Sequence, residues 1–412
     1  MNAYAAVILL ALVGTYAAAR VADLRNLRSA DDEVPAEFAD LYDPAAYRRS
    51  QAYTRARVRF GIVTSTFDLV VLLVFWLAGG FRWLDDMVRG LGWGPVATGL
   101  VFIVVLVAGR AVLSLPFGIY STFVLEERFG FNRTTPATFA SDLAKGLVLS
   151  VLLGLPALAA LLALFTYAGP QAWVYAWVAA AVLSSVLQLV LPAWIMPLFN
   201  RFSPLEPGEL REALFAYARS VAFPLGNIVV MDGSRRSSKS NAFFTGFGRT
   251  RRIALFDTLI AQHTTPELVA VIAHEVGHYK ARHLLKGLAV SVLHLGILFA
   301  LLSLFLTDAG LFQAFFVQTP SVYAGLVLFG LLLTPVEFIL GVALQALSRR
   351  HETEADAYAA QTTGDPTSMV NALKKLARNN LSNLTPDPFY VVLHYSHPPV
   401  LQRIAALRGS GA

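Results

Sequence analysis

The chain contains no cysteine, and only six of its 33 basic residues are lysines. The absence of cysteine excludes disulfide scaffolds, thiolate zinc sites and cysteine nucleophiles, so any metal must be held by His, Asp or Glu. Charged residues are also scarce, at 15% against 56% hydrophobic residues, and the mean hydropathy is +0.57. Such values are typical of a membrane protein rather than a globular domain. The arginine-rich, lysine-poor composition indicates a GC-rich bacterial source.

Seven apolar stretches have the length of a membrane span, about 20 residues. Because lipid leaves only helices or closed barrels available, we expect all seven to be helices. The first could instead be a signal peptide, since Ala17–Ala19 are typical of a cleavage site, but the basic Arg20 lies on the wrong flank. The stretches cover roughly residues 3–19, 61–80, 95–115, 146–168, 172–196, 284–306 and 322–346.

The number of lysine and arginine residues alternates from loop to loop. The loops after the first, third and fifth spans are rich in these residues, and the loops after the second, fourth and sixth are poor in them. This pattern predicts that the odd loops and the C-terminus face the cytoplasm, and it explains the net charge of +6 without nucleic-acid binding. Two polar segments, 200–283 and 347–412, then lie on the same side. We therefore divide the chain into residues 1–199 (spans one to five), 200–283, 284–346 (spans six and seven) and 347–412.

Four charged or polar residues lie within or beside the spans: Asp68, Arg110, His294 and Glu337. Intramembrane charge is energetically costly, so these side chains should face protein or water rather than lipid. They either pair between helices or line a water-filled chamber, and the sequence leaves both possibilities open.

The strongest chemical motif is H-E-x-x-H at residues 274–278. It ends a segment that predicts a helix beginning near Thr265, an N-cap residue ahead of a proline. On a helix His274 and His278 share one face and can reach one tetrahedral ion, while Glu275 can take a proton from a metal-activated water. The spacing therefore predicts a catalytic metal site.

A catalytic zinc needs a third protein ligand and an open position. The span count returns the chain to the cytoplasmic side near residue 347, so Glu352 and Asp356 become candidates. They are four apart on one helix face, and one can bind the metal while the other receives an imidazole N–H. We interpret His283 as a surface or structural residue and His351 as a helix-capping residue. A His2Glu set with an open position favours zinc.

Several motifs along most of the chain together make the sequence similar to the integral-membrane zinc metalloproteases of the type I CAAX prenyl protease group. One departure is Lys239, since a histidine precedes the Ser-Asn pair in eukaryotic members, and this favours a bacterial member. The motifs are Glu126–Asn132, Pro197–Asn200, Ser240–Gly246, His274–His278, Glu352–Asp356, His394–Pro399 and Arg403.

The resemblance implies a role for each matching residue. It implies one zinc ion per chain, held by His274, His278 and Glu352, with Glu275 as the general base and Asp356 as the carboxylate that orients a ligand. His397 matches a histidine that stabilises the tetrahedral oxyanion, and Arg403 an arginine near the carbonyl or C-terminus of the substrate. Asn241 and Ala242 match a segment that binds the substrate backbone as an added strand. Residues 253–256 are our candidate for an edge strand with which the substrate pairs.

The resemblance also implies the fold class: an all-α polytopic membrane protein, in which seven transmembrane helices form a barrel around a hydrated chamber. A cytoplasmic α+β metallopeptidase domain of the gluzincin type would carry the site. The expected activity is hydrolysis of membrane-associated or prenylated polypeptides, in the inner membrane of a bacterium, with membrane lipids as the surroundings. A quality-control protease with unprenylated substrates and a non-catalytic transporter or scaffold are the alternatives.

Overall fold

The computed structural model describes residues 2–245 and 252–409, so Gly246 of the Ser240–Gly246 motif lies outside the described residues. The described chain is mostly helical, with one small sheet. The helices are α1 Ala3–Arg28, α2 Pro44–Leu77, α3 Gly80–Arg89, α4 Pro95–Tyr120, α5 Pro136–Leu149, α6 Leu155–Tyr167, α7 Ala172–Val190, α8 Met196–Phe199, α9 Glu209–Ser220, α10 Asp257–Gln262, α11 Thr265–Lys280, α12 His283–Phe305, α13 Ala309–Ala314, α14 Val322–Leu332, α15 Thr334–Thr363, α16 Pro366–Asn379, α17 Pro388–His394 and α18 Val400–Gly409. The strands are β1 Phe202–Pro204, β2 Asn227–Met231, β3 Ala242–Thr245 and β4 Arg252–Phe256.

Six helical segments of the described chain are long and apolar enough to cross a membrane, and the bent pair α14 and α15 makes a seventh. These segments coincide with the seven predicted spans. The second and fourth begin well before the apolar stretch, at Pro44 and Pro136, because each helix continues into the polar region on one side. The two halves of the seventh meet at 55° next to Pro335, which lacks the N–H that a continuous helix needs.

Three spanning segments contain a short π-helical stretch: Ser121–Glu126, Ser150–Gly154 and Leu191–Ile195. Each stretch lies close to a proline, namely Pro116, Pro156 or Pro192. A proline leaves the carbonyl four residues before it without its usual donor, and π-helical turns are one of the local adjustments by which membrane helices tolerate this loss.

The spanning helices form a closed ring. Each packs on the next, in the order α1, α2, α4, α6, α7, α12 and α14, and both halves of the seventh span return to α1. Between α2 and α4 the contact is aromatic, with Phe60 and Phe67 against Phe117. Since α1 contributes buried residues such as Ile8 to this ring, the structure favours a retained first span over a signal peptide.

The intramembrane polar residues are paired, in agreement with one of the two possibilities. Arg110 of α4 donates to Asp68 of α2 at 3.0 Å, and His294 of α12 lies 3.0 Å from Glu337 of α15. The side chains of Arg110 and Asp68 nevertheless have exposed fractions of 71% and 43%. The pair therefore joins two spanning helices while both side chains stay partly accessible.

One end of the ring is closed by a hydrophobic cluster around α3 and α13, which lie in the second and sixth loops. Trp76 stacks on Phe315 and donates its indole N–H to the carbonyl of Ala314. The N-terminus is at this same end, because Asn2 donates to the carbonyl of Gly310. The even loops and the N-terminus thus share one side, as the charge pattern predicts.

The polar segments gather at the other end. The hydrophobic core there combines β2, β4, α9, α11, α15 and α16, and a second cluster joins the first loop to α11, α16 and α18. Arg236 of the fifth loop donates to Asp142, at the start of the fourth span, and to Asn200. The odd loops and the C-terminal segment therefore form one body on the side opposite to the N-terminus.

The sheet has the order β1-β2-β4-β3, with β2 and β4 parallel and the other pairs antiparallel. The prediction that residues 253–256 form an edge strand is wrong: they form a strand, but not one at the edge of the sheet. They form most of β4, which is paired on both sides and has no free edge. Of the strands that the structure describes, β1 and β3 lie at the two edges, and Ala242 is the first residue of β3. An apolar strand such as Ile253, Ala254 and Leu255 is buried because it is central.

Candidate metal centre

Helix α11 carries the H-E-x-x-H motif, and its start is well defined. The side chain of Thr264, one residue before the predicted N-cap, and the carboxylate of Glu267 form a capping box. Pro266 follows within the first turn, where its missing N–H has no cost. Lys375 of α16 donates to the buried Glu267 at 2.8 Å. This end of the helix is thereby anchored to the C-terminal segment.

The other face of α11 packs closely against α15. The reason is Gly277, inside the motif, where an added Cβ would lie 3.0 Å from the Cα of Ala355 and 3.1 Å from its carbonyl oxygen. Only glycine permits this approach without a shift of one helix. The close approach brings Glu352, one turn before Asp356 on α15, next to the two histidines of α11.

Three predicted ligands converge. Nε2 of His274 and Nε2 of His278 each lie 3.3 Å from a carboxylate oxygen of Glu352, and the two nitrogens are 3.1 Å apart. Among the described residues these three form the one group of at least three His, Asp or Glu side chains that could hold a metal ion. Oε2 of Glu352 is buried and has no hydrogen-bond partner in the described chain. An unpaired buried carboxylate oxygen beside two imidazole nitrogens fits a cation, and this donor set suits zinc.

Asp356 lies behind the first ligand. Its Oδ1 is 2.8 Å from Nδ1 of His274, and its two oxygens accept bonds of 2.7 and 2.6 Å from Nε and Nη2 of Arg403. Burial by itself lowers the pKa of His274, but the contacts with Asp356 and Glu352 outweigh burial and raise it to about 9. The environment of this ring therefore favours positive charge, which a bound cation would supply in place of the proton.

Glu275 follows His274 on α11 and is half-buried. Burial raises the pKa of its carboxyl above the usual range, and the nearby histidines oppose this shift. A carboxylate with a raised pKa binds a proton more readily, which suits a general base. Its position beside the ligands is the position that the motif predicts.

His397 lies on the open side of the site, in the loop between α17 and α18. Its Nε2 is 3.3 Å from Oε1 of Glu352, and its side chain is 59% exposed. The hydroxyl of Ser396 lies 2.8 Å from Nδ1 and holds the ring in this orientation. The sequence contained no signal for this contact other than the adjacency of the two residues.

A cavity of about 1060 Å³ opens beside His397. Its lining comes from α1, α2, the segment before β3 and the loop that carries His397, and it includes Asn241. Oδ1 of Asn241 accepts a bond from the N–H of Ala242, and its backbone carbonyl accepts one from Phe256 of β4. The structure thus brings Asn241 and His397, which are far apart in sequence, to one cavity, and Ala242 follows Asn241 at the start of β3.

One sequence interpretation needs correction: His351 does not cap a helix, because α15 runs unbroken from Thr334 to Thr363 and His351 is in its interior. Of the two interpretations given for His283, surface or structural, the structure agrees with the second: His283 is 7% exposed and its Nδ1 lies 2.9 Å from Nδ1 of His278. The sequence has no local pattern for this contact, which depends on the turn between α11 and α12. Arg403 contacts Asp356 with two of its nitrogens, so substrate contact by this residue stays a prediction.

Comparisons with known proteins agree with the geometry. Residues 23–201 match a model described as CAAX prenyl protease N-terminal, five membrane helices, and residues 204–410 match peptidase family M48. A CAAX prenyl protease 1 of Saccharomyces cerevisiae is 35% identical, covering 92% of this chain and 89% of that protein. A homologue from Arabidopsis thaliana is 36% identical, with 94% and 93% coverage. The crystal structure of S. mikatae Ste24p has a TM-score of 0.93 at 33% identity and covers 99% of both chains.

Proposed function

Because the chain belongs to peptidase family M48 and carries the N-terminal membrane domain of the CAAX prenyl proteases, we propose that it hydrolyses membrane-associated polypeptides, prenylated CAAX proteins included. It is a multi-pass membrane zinc metalloendopeptidase, so the transporter and scaffold alternatives are excluded. The observation that carries the proposal is the convergence of His274, His278 and Glu352 beside a cavity that reaches the spanning helices.

The roles of the site residues follow from their positions. His274, His278 and Glu352 would hold one zinc ion, which when bound activates a water and polarises the scissile carbonyl. Glu275 takes the proton of the attacking water and passes it to the leaving amine. His397, on the open side, donates to the carbonyl oxygen as negative charge develops there, a contribution of about 3 kcal/mol for a well-placed donor.

Arg403 and Asp356 act behind the site in this proposal. The two hydrogen bonds from Arg403 fix the carboxylate of Asp356, which in turn fixes the ring of His274. Nη1 of Arg403 lies 3.8 Å from Glu352, close enough to balance the charge of the ligand. Contact of Arg403 with the carbonyl or C-terminus of the substrate remains part of the proposal, in addition to this positioning role.

The substrate backbone would add to the free edge of β3, with Asn241 and Ala242 as its partners. Strand addition uses main-chain hydrogen bonds and so tolerates varied side chains, while the cavity beside His397 selects the residues on the C-terminal side of the cleaved bond. The exposed ion pairs between the spanning helices support a hydrated chamber inside the ring. We place the site on the cytoplasmic side, because the loops on that side carry most of the lysine and arginine.

For the organisation of the chain we propose the four segments given above: 1–199 and 284–346 form the membrane ring, while 200–283 and 347–412 form the site. A bacterial inner membrane is the proposed location. The arginine-rich composition supports it, as does Lys239 before the Ser-Asn pair.

The experiment is hydrolysis of a farnesylated CAAX peptide by the detergent-purified protein, beside the same peptide without the lipid. Glu275→Gln serves as the matched control, and the zinc content of each sample is measured. Cleavage of the lipidated peptide by the wild type alone is the expected result. Equal cleavage of both peptides would favour the quality-control alternative, while zinc-loaded protein that cleaves neither would contradict the proposed substrate class.

A further inference from the structure

The second histidine ligand has a partner on the side away from the metal. Nδ1 of His278 lies 2.9 Å from Nδ1 of His283, whose Nε2 lies 3.1 Å from Oε2 of Glu354. Glu354 in turn accepts a bond of 3.0 Å from Nε of Arg350. We call His283 and Glu354 the outer relay.

When His278 binds zinc through Nε2, only one assignment of protons satisfies these contacts. A His278 that binds zinc through Nε2 must carry its proton on Nδ1, and that proton points to Nδ1 of His283. His283 must then accept at Nδ1 and carry its own proton on Nε2, which it donates to the carboxylate of Glu354. Each nitrogen has one partner, and the chain of donors ends on a charged acceptor.

From this geometry we infer that His283 is a positioning residue for zinc binding, which holds the ring of His278 while Glu354 holds His283. The inference rests on the proposed function, in which His278 is a zinc ligand. A partner behind a ligand fixes its ring orientation and makes its free nitrogen a better donor to the metal. His274 already has such a partner in Asp356.

The local structure keeps His283 in place from two sides. Arg282, just before it, has a φ of +57°, a left-handed conformation that is unfavourable for a residue other than glycine. This turn reverses the chain so that the first residue of α12 faces back to α11. On the other side the ring of His351 stacks on His283, with centroids 3.9 Å apart and planes at 12°.

Each of the two histidine ligands is therefore supported by a series of hydrogen bonds that ends on an arginine. Asp356 and Arg403 lie behind His274, and the outer relay with Arg350 lies behind His278. The two series differ in origin. The first lies between α15 and α18, whereas the second begins at the first residue of a membrane-spanning helix. The position of His278 thus depends on how α12 leaves the membrane.

The test is zinc affinity, measured by competition with a chelator on purified full-length protein, together with the visible absorption spectrum of the cobalt-substituted form. We expect His283→Leu to lower zinc affinity about 10-fold to 100-fold and to change the cobalt spectrum. His283→Asn should recover most of this loss, because its Oδ1 occupies the position of Nδ1 and can accept from His278. Glu354→Gln, which keeps an acceptor oxygen, should have an intermediate effect.

His351→Phe is the packing control, because it keeps an aromatic ring stacked on His283 and leaves the relay intact, so its zinc affinity should stay near that of the wild type. A folded His283→Leu protein with unchanged affinity and spectrum would overturn the inference. A loss in His283→Asn as large as in His283→Leu would also overturn it. If the wild type itself binds no zinc, the proposed function fails, whereas zinc binding that is insensitive to His283 refutes the relay alone.

Discussion

At the scale of single residues, the proposed site combines groups that would bind the metal with groups that hold those ligands in place. Glu275 belongs to neither set, since its proposed role is to transfer a proton. The distinction can be tested, because loss of a ligand, of a base and of a supporting residue change zinc binding and hydrolysis in different combinations.

We expect Glu275→Gln to bind zinc as the wild type does but to lose hydrolysis by about 100-fold or more, because glutamine cannot accept the proton of the attacking water. His274→Ala should lose both zinc and hydrolysis. Measurements of peptide cleavage and of metal content in the purified variants test both expectations. A Glu275→Gln enzyme with near wild-type turnover would contradict the assignment of the base.

Arg403→Lys should weaken zinc binding about tenfold, because a lysine keeps the charge but loses the two-pronged contact with Asp356. Arg408→Lys, on the same helix and paired with Glu37 at the surface, is the control and should have no such effect. The measurement is zinc affinity beside KM for a peptide. A raised KM at unchanged zinc affinity would show instead that Arg403 contacts the substrate.

At the scale of elements, the decisive contact is between α11 and α15, which carry all three proposed ligands. Neither helix carries the complete set, so the distance between the helices determines whether the proposed site forms. Gly277 sets that distance, since the neighbouring atoms are backbone atoms of α15 that cannot move aside as a flexible side chain could.

Gly277→Ala should therefore move α15 by a few tenths of an ångström, weaken zinc binding and lower the free energy of unfolding by about 1 to 3 kcal/mol, the cost of overpacking. Gly287→Ala is the matched control, because no atom lies within 4 Å of the added carbon there. Thermal unfolding and chelator competition would report the two effects. Equal behaviour of the two variants would show that the close approach is unimportant.

The position of β3 at an edge of the sheet leads to a separate prediction about the substrate. Strand addition uses alternate residues of the added chain, since successive N–H groups point to opposite sides. A series of peptides that are N-methylated at one position each should therefore lose cleavage at every second position before the scissile bond. Initial rates measured across the series check this, and loss at consecutive positions or at none would contradict pairing with β3.

At the scale of the whole molecule, the hydrophobic closure and the candidate site lie at opposite ends of the ring of spanning helices. The second and sixth loops and the N-terminal helix close one end with a hydrophobic cluster, while the odd loops and the C-terminal segment build the candidate site at the other. The ring of spanning helices joins the two ends, and in the proposed function it would present a substrate held in the membrane to this site.

The absence of cysteine allows the orientation to be tested directly with single-cysteine variants of the otherwise native chain. We choose four exposed positions and expect a membrane-impermeant maleimide to label Leu91→Cys and Gln318→Cys on intact cells. Glu33→Cys and Glu206→Cys should react only after the cells are permeabilised. The reverse pattern would place the site on the outer side of the membrane.

The sequence by itself determined the features that depend on neighbours along the chain. Apolar runs of span length, the spacing of His274 and His278 and the spacing of Glu352 and Asp356 are local patterns, and each predicted its helix. The charge of the loops separated the two sides, and the ordered motifs identified the family of the fold.

The tertiary structure decided the features that depend on contacts between distant segments. Three of these features have no local signature in the sequence. They are the order of the strands in the sheet, the contact of His283 with His278, and the hydrogen bonds that Arg403 donates to Asp356. These outcomes depend on the packing of α11, α12, α15 and α18 against one another. The physical reason is that periodicity and spacing report the face of one helix, whereas a metal site needs the distance between two.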